Sequence, residues 1–321
     1  MPGPLEPTIG PADAGIAVLT PSPVVEPLAG AEKSATKRLG LTGWLAAGWL
    51  SFIALISIFT PLLPLSDPER IFPGLKQGAK IAGPGTAGHL LGGDAAGHDL
   101  LSRTIWGSRA SLVLGVASVL VGVIAGGALG LVAGYYRGKI DVVFSMLLDT
   151  MLAIPPLVLA LALVAVFAPF DLTNPVTDTR RLVVLIIALG IVSVPILGRI
   201  TRASTLSWSQ REFVLAARAL GAKSHRIILR EVLPNVLPAM FSIALLGIAV
   251  VITAEGGLSI LGIGITGTPS WGNIIATGSP TLRQSPWPII VPSVAIFLTV
   301  LSLNYLGDVI RARSDVRESM L

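Results

Sequence analysis

The sequence predicts an all-α membrane protein of six transmembrane helices with both termini on the cytoplasmic side. Three observations carry this reading. Hydrophobic residues make up 52% of the 321-residue chain and charged residues only 13%, with a mean hydropathy of +0.79, which is too apolar for a soluble domain of this length. Six stretches are long and apolar enough to cross a bilayer, where roughly 20 residues are needed and every backbone amide must be satisfied within its own helix. Lys and Arg are unevenly shared between the connecting pieces, and the pieces holding most of them are assigned to the cytoplasm. No stretch alternates apolar and polar residues as the strands of a closed barrel do.

Taken in order, residues 1–40 are expected to form a disordered cytoplasmic tail, because their Pro, Gly and Ala content supports no core and the basic start and apolar run of a signal peptide are missing. The first spanning helix is placed within 41–65 and an extracytoplasmic loop at 66–110. A five-helix core follows over 111–310, and 311–321 form a second cytoplasmic tail. The six spans themselves read as 43–65, 112–135, 142–167, 182–198, 237–263 and 289–310. Trp106, Trp271 and Trp287 on one side, and Trp44 and Tyr135 on the other, fall where amphipathic rings prefer the headgroup layer. In the second span Gly122, Gly126, Gly130 and Gly134 recur every fourth residue, a stripe of small residues that lets another helix backbone approach closely, most simply one of the same chain. Pro155, Pro156 and Pro195 are expected to kink their helices.

Several function classes are excluded or disfavoured by the same reading. The net charge of +5 has no folded basic domain behind it, so it reflects the positive-inside bias and contact with membrane lipid rather than nucleic acid. Without cysteine there is no thiolate metal site, disulfide or Cys nucleophile. No Gly-rich phosphate loop is present, and no His falls in a spanning segment, which disfavours ATP hydrolysis or intramembrane catalysis by this chain. An ion-coupled secondary transporter would show inverted repeats with paired broken helices, and none is visible. His89 and His98 with Asp94 and Asp99 invite a metal reading, but their Gly-rich stretch shows no sign of the rigidity a ligand set needs. No metal site is assigned, and contact with a delivery protein is expected there instead.

The most informative segment is the loop 199–236, and within it REFVLAARALGAKSHRIILREVLPNVLP from Arg211. Phe213, Ala216, Ala217 and Leu220 share one helical face, Gly221 is placed as a C-terminal cap, and a second helix is expected to run to Leu233 and stop at Pro234. This segment resembles the cytoplasmic signature loop of bacterial ABC-importer permeases, whose pattern runs Glu-Ala-Ala, three residues, Gly, nine residues, Ile, one residue, Leu-Pro. Ala216, Ala217, Gly221, Leu233 and Pro234 are in register with it. Leu215 stands where that pattern has Glu and Glu231 where it has Ile, with Glu212 one turn away to replace the missing carboxylate. GGDAAGHDLLSRTIWGSRASL from Gly92, LLDTMLAIPPLVLAL from Leu147, GLSILGIGITGTPSWGNII from Gly257 and LTVLSLNYLGDVIRARSDVR from Leu298 are similar to the C-type subunit of dipeptide and oligopeptide permeases, in the same order. His98 departs from the usual Arg.

The resemblance implies a type I ABC importer permease fold in the bacterial cytoplasmic membrane. It also implies a non-catalytic subunit that pairs with a homologous second permease subunit, docks two ATPase subunits and receives substrate from an extracytoplasmic binding protein. ATP and Mg would be bound by the ATPases and no cofactor by this chain. Glu212, Ala216, Ala217, Gly221, Leu233 and Pro234 are the docking residues it implies. Nickel and haem importers share this permease type and remain alternatives to peptide. Asp149 and Glu255 are candidates for the substrate pathway, since an ionisable group within a span persists only against water or a partner. The bland reading is solvation at the inner surface for Asp149, and local pairing that orients Gly256 and Gly257 for Glu255.

Overall fold

The computed structural model describes residues 40–77, 80–86, 88–168 and 178–319, with side chains from 179 to 313 in the last piece. The expected tail 1–40 lies outside the described residues except for Gly40. Ten helices follow: α1 (Leu41–Phe59), α2 (Leu100–Tyr136), α3 (Gly138–Ala153), α4 (Pro156–Phe167), α5 (Asp178–Trp208), α6 (Glu212–Ala219), α7 (Ser224–Ile227), α8 (Leu233–Ile260), α9 (Trp271–Gly278) and α10 (Trp287–Ser319). Five spans are continuous, and the third is broken. Where one kinked helix was expected over 142–167, α3 and α4 meet at 85°. The reason is local: Ile154 and Pro155 are both extended (ψ 126° and 127°), because a proline ring drives its predecessor out of the helical region and two prolines in a row remove two amides from the ladder. A lone Pro195 leaves α5 unbroken.

Other boundaries move for similar reasons. α2 begins inside the expected outer loop because Asp99 caps it, its carboxylate accepting the Leu101 N–H at 3.1 Å. Pro234 does not end a helix. A π turn over Ile228–Val232 widens the chain, Leu233 N–H reaches back to the Ile228 carbonyl, and Pro234 falls in the first turn of α8, where its missing amide removes little. α10 runs on through the expected C-terminal tail to Ser319.

α2 is the central helix, and its glycines explain why. A Cβ on Gly126 would lie 2.5 Å from the Val194 carbonyl oxygen, and one on Gly134 would lie 2.7 Å from Thr205 Cβ, so the stripe seats α5 backbone against α2 backbone. On another face Gly115 and Gly127 make the same room for Ile252 and Met240 of α8. α1 packs outside, held to α10 by Trp49 Nε1 donating to Thr299 Oγ1 (3.1 Å).

The segment before α2 is a compact polar cap, contrary to the expectation of a loop without rigidity. A short hairpin of β1 (Lys76–Gln77) and β2 (Lys80–Ile81) precedes Gly92 and Gly93, which leave no room for a side chain: a Cβ on Gly92 would lie 2.4 Å from the Ala82 carbonyl. Asp94 is buried, accepting the Ala96 and His98 amides at 2.9 Å through Oδ1 and Arg103 Nη1 at 2.9 Å through Oδ2, beside His98 Nδ1. Burial alone would raise the Asp94 carboxyl, but the His98 ring and amide and the Arg103 charge outweigh it and hold it below the ordinary value. Asp99 takes Ser66 and His89 on its second oxygen. Ion pairing and helix capping therefore explain these acids. Among the described residues no group of three His, Cys, Asp or Glu is placed to hold a metal.

Candidate functional site

The loop between α5 and α8 folds as a platform carrying a short helix. Trp208, Val214, Ile227, Ile228, Val232 and Val236 form one buried cluster with Leu131 and Tyr135 from the end of α2, and this anchors α6 and α7 to the bundle. Arg218 lies over the Tyr135 ring (5.5 Å) and Arg211 over Trp208 (5.4 Å), adding cation–π contacts on either side of α6. The helix closes with a Schellman motif: Ala222 N–H bonds the Ala217 carbonyl, Gly221 N–H the Arg218 carbonyl, and Gly221 takes φ +80°.

The docking residues read from the sequence separate into two groups. Glu212, Ala216 and Gly221 are exposed, as are Leu215 (52%) and Leu220 (89%). Ala217 and Leu233 instead pack on the buried cluster, and Pro234 is exposed on the first turn of α8. The single face expected from Phe213, Ala216, Ala217 and Leu220 is thus corrected. Fully buried Val214 sets the inward side, and Ala217, three residues on, shares it, while Ala216 and Leu220 point out. An apolar stripe in an eight-residue amphipathic helix has two candidate orientations, and the inward pull of Val214 was not weighed in the sequence.

The two pathway candidates lie far apart in character. Asp149 on α3 is exposed (65% of its side chain) and receives Arg199 Nη2 of α5. Two turns earlier Asp141 is bound by Arg202 through two guanidinium nitrogens, Nε to Oδ1 and, at 2.7 Å, Nη2 to Oδ2. Asp141, Asp149 and Arg202 line one open cavity of about 650 Å³ with Ser145 and Thr150. Asp141 and Arg202 were missed in the sequence. Their signal was available in hindsight, since Asp141 and Asp149 share a helical face at a spacing of eight.

Glu255 is fully buried within the chain. Its Oε1 accepts Ser259 Oγ (2.7 Å) and Ser270 Oγ (2.8 Å), and its Oε2 faces Gly272, where a Cβ would sit 2.5 Å away. Ser270 is the N-cap of α9, accepting Asn273 N–H at 3.0 Å, so the carboxylate holds the start of α9 against the end of α8. Trp271 completes the joint by donating its Nε1–H to the Thr104 carbonyl (2.9 Å) and its amide to Ser111 Oγ (3.1 Å) of α2. The side-chain partners of Glu255 are thus Ser259 on its own helix and Ser270 across the joint, where the expectation was a local pairing that orients Gly256 and Gly257.

Residues 126–318 match the family described as the binding-protein-dependent transport system inner membrane component. The chain belongs to this family. It is a permease subunit and a multi-pass protein of the bacterial inner membrane. Among its relatives are the dipeptide transport system permease protein DppC of Alkalihalophilus pseudofirmus, 38% identical over 83% of this chain and 82% of that protein. The di/tripeptide transport system permease protein DppC of Pseudomonas aeruginosa is 36% identical over 84% and 87%. The oligopeptide transport system permease protein OppC of Mycobacterium tuberculosis is 34% identical over 84% and 88%. A chain of the MetNI methionine ABC transporter in an inward-facing conformation shares the fold, with a TM-score of 0.53 over 66% of this permease and 97% of that chain at 17% identity.

Proposed function

We propose that this permease carries di- and oligopeptides across the inner membrane as one half of a pathway completed by a homologous second permease subunit. The exposed side of α6, with Glu212, Ala216 and Gly221, is this chain's share of the docking surface for two ATPase subunits, which bind ATP and Mg. Ala217 and Leu233 keep that helix on its platform, Pro234 shapes the first turn of α8, and an external binding protein delivers substrate. The chain itself breaks no bond. Asp149, open to solvent beside Asp141 and Arg202, lines the pathway, and Glu255 serves it from behind by fixing α9. Both termini and the 199–236 loop lie in the cytoplasm, and the cap before α2 lies outside.

The observation that carries this reading is a short amphipathic helix packed by its inner side on the end of the bundle, its outer side exposed and a bare glycine at its tip, on a chain whose relatives are named for peptide transport. The test is uptake of a labelled dipeptide into proteoliposomes holding all subunits. Accumulation that requires ATP, the binding protein and this chain is expected, and uptake of nickel or haem in place of peptide would overturn the substrate assignment. Orientation is checked separately: the chain has no cysteine, so Thr86→Cys and Leu220→Cys, both exposed, can each be labelled with an impermeant reagent. Labelling of Leu220→Cys but not Thr86→Cys in intact cells would reverse the topology.

A further inference from the structure

A cavity of about 420 Å³ lies where α6 meets the turn between α2 and α3, and its lining is Tyr135, Tyr136, Arg137, Ser209, Gln210, Leu215 and Arg218. Two guanidinium groups and several neutral donors face it, and no carboxylate does. Arg137 Nη2 donates to Ser209 Oγ at 3.1 Å and Arg218 covers the Tyr135 ring, so both cations are oriented by neutral partners at the cavity, and the nearby carboxylate that feels Arg137, Asp141, lies outside the lining and is bound by Arg202. Arg137 also has φ 56° and ψ −160°, a backbone conformation that glycine alone adopts without strain, and it is the one non-glycine residue with positive φ among the described residues.

The depth of this cavity identifies its ligand. Two tyrosines end α2, and after only three more residues, Arg137, Gly138 and Lys139, the exposed apolar side chains Ile140, Val142 and Val143 of α3 begin, so the turn sits in the headgroup layer. We infer that the cavity binds the phosphodiester of an anionic phospholipid, clamped between Arg137 of the α2–α3 turn and Arg218 of the docking helix, with Ser209, Gln210 and the tyrosines as further donors. Guanidinium groups suit a phosphate oxyanion because their N–H donors match it in pairs. The site ties the docking helix to the lipid composition of the leaflet it faces. That last point rests on the docking role proposed above, whereas lipid binding itself does not.

The test uses the full chain with its partner subunits in phosphatidylcholine nanodiscs carrying increasing phosphatidylglycerol, with retained lipid counted by native mass spectrometry. Nanodiscs expose both leaflets, so the outcome is independent of membrane orientation. Wild type is expected to retain phosphatidylglycerol over phosphatidylcholine, and Arg218→Gln to weaken that retention about fivefold, the interfacial value of one basic residue. Arg137→Gly should weaken it to a similar degree while removing backbone strain, so its loss of lipid cannot be laid to misfolding. Arg137→Lys should keep most of it. Equal retention by wild type and both charge-removing variants overturns the inference. Two other outcomes also overturn it: displacement by inorganic phosphate at equal concentration, which would make this a free-anion site, and complete loss of lipid when the ATPases dock, which would assign the arginines to an acidic protein partner.

Discussion

Gly130→Ala tests the packing on which the bundle depends. A Cβ there would lie 2.4 Å from the Gly198 carbonyl oxygen and 3.0 Å from the Arg202 amide nitrogen. Ordinary contact starts near 3.4 Å, so α5 must retreat by about 1 Å, and a helix backbone cannot rotate aside as a side chain does. The strain of such overpacking is about 1–3 kcal/mol. Alanine also favours the helix by about 1 kcal/mol over glycine, which would mask part of the loss, so the informative quantity is a difference. Gly48 on α1 has nothing within 4 Å of its would-be Cβ, and Gly48→Ala keeps the propensity gain without the clash. The two variants are compared by denaturant unfolding in mixed micelles, followed by tryptophan fluorescence. Gly130→Ala should fall below Gly48→Ala by about 1–3 kcal/mol. A difference within about 0.5 kcal/mol, the range of substitutions that touch nothing, would refute close contact of α2 and α5 at this level.

Glu255→Gln keeps an acceptor for Ser259 and Ser270 and should leave transport within about twofold, whereas Glu255→Ala strands two hydroxyls and should destabilise the chain by about 1–3 kcal/mol; abolished transport in a well-folded Gln variant would instead show that the charge itself is needed. Gly221→Val, forced into a left-handed conformation, should lose about 1–2 kcal/mol at the end of α6 and reduce ATPase recovery in pull-downs, and unchanged recovery with normal transport would remove Gly221 from the docking surface. Asp94 titrates below its ordinary value of 3.8 when folded, so its contribution is complete above that pH and is lost as pH falls below it toward the folded value. Hydrogen exchange in the cap before α2 should therefore accelerate on acidification below about pH 3.8, and Asp94→Asn should flatten this limb; an unchanged acid limb in that variant would assign it to another carboxylate.

The fold was legible wherever hydropathy or glycine spacing carries it. The second span shows its packing face in Gly122, Gly126, Gly130 and Gly134, because a residue without a side chain records a close approach directly. The broken third span was half legible: Pro155 and Pro156 mark a bend, but two adjacent prolines were read as a kink when they separate two helices. The start of α2 was misplaced because hydropathy begins at the apolar run near Leu112, whereas the helix begins at its cap, Asp99, and the mixed polar and apolar residues 100–111 between them carry no continuous hydropathy signal. The cap before α2 was hidden for a further reason. Its order comes from backbone contacts at Gly92 and Gly93 and from Asp94 bonding residues four and nine positions on, and glycine in a sequence looks the same whether it loosens a loop or locks one.

The candidate site was legible as a segment but not as a surface. The register of Ala216, Ala217 and Gly221 locates α6, yet which alanine faces the bundle is decided by Val214 and by Leu131 and Tyr135 of α2, far earlier in the chain. The same long-range dependence joins the two ends of the molecule. α8 begins in the buried cluster under α6, through Leu233 and Val236, and ends at the Glu255 joint with α9. At 1.5 Å per residue its 28 residues span about 42 Å. The π turn, Pro234 and Pro238, which can absorb a bend, lie in or before its first two turns, and the Gly256–Gly257 pair lies at its far end beside Glu255. From Ala239 to Glu255 the helix contains no proline and a single isolated glycine, Gly247, so a tilt imposed beyond Pro238 is expected to travel along it as far as Glu255, whose buried carboxylate joins it to Ser270 at the start of α9.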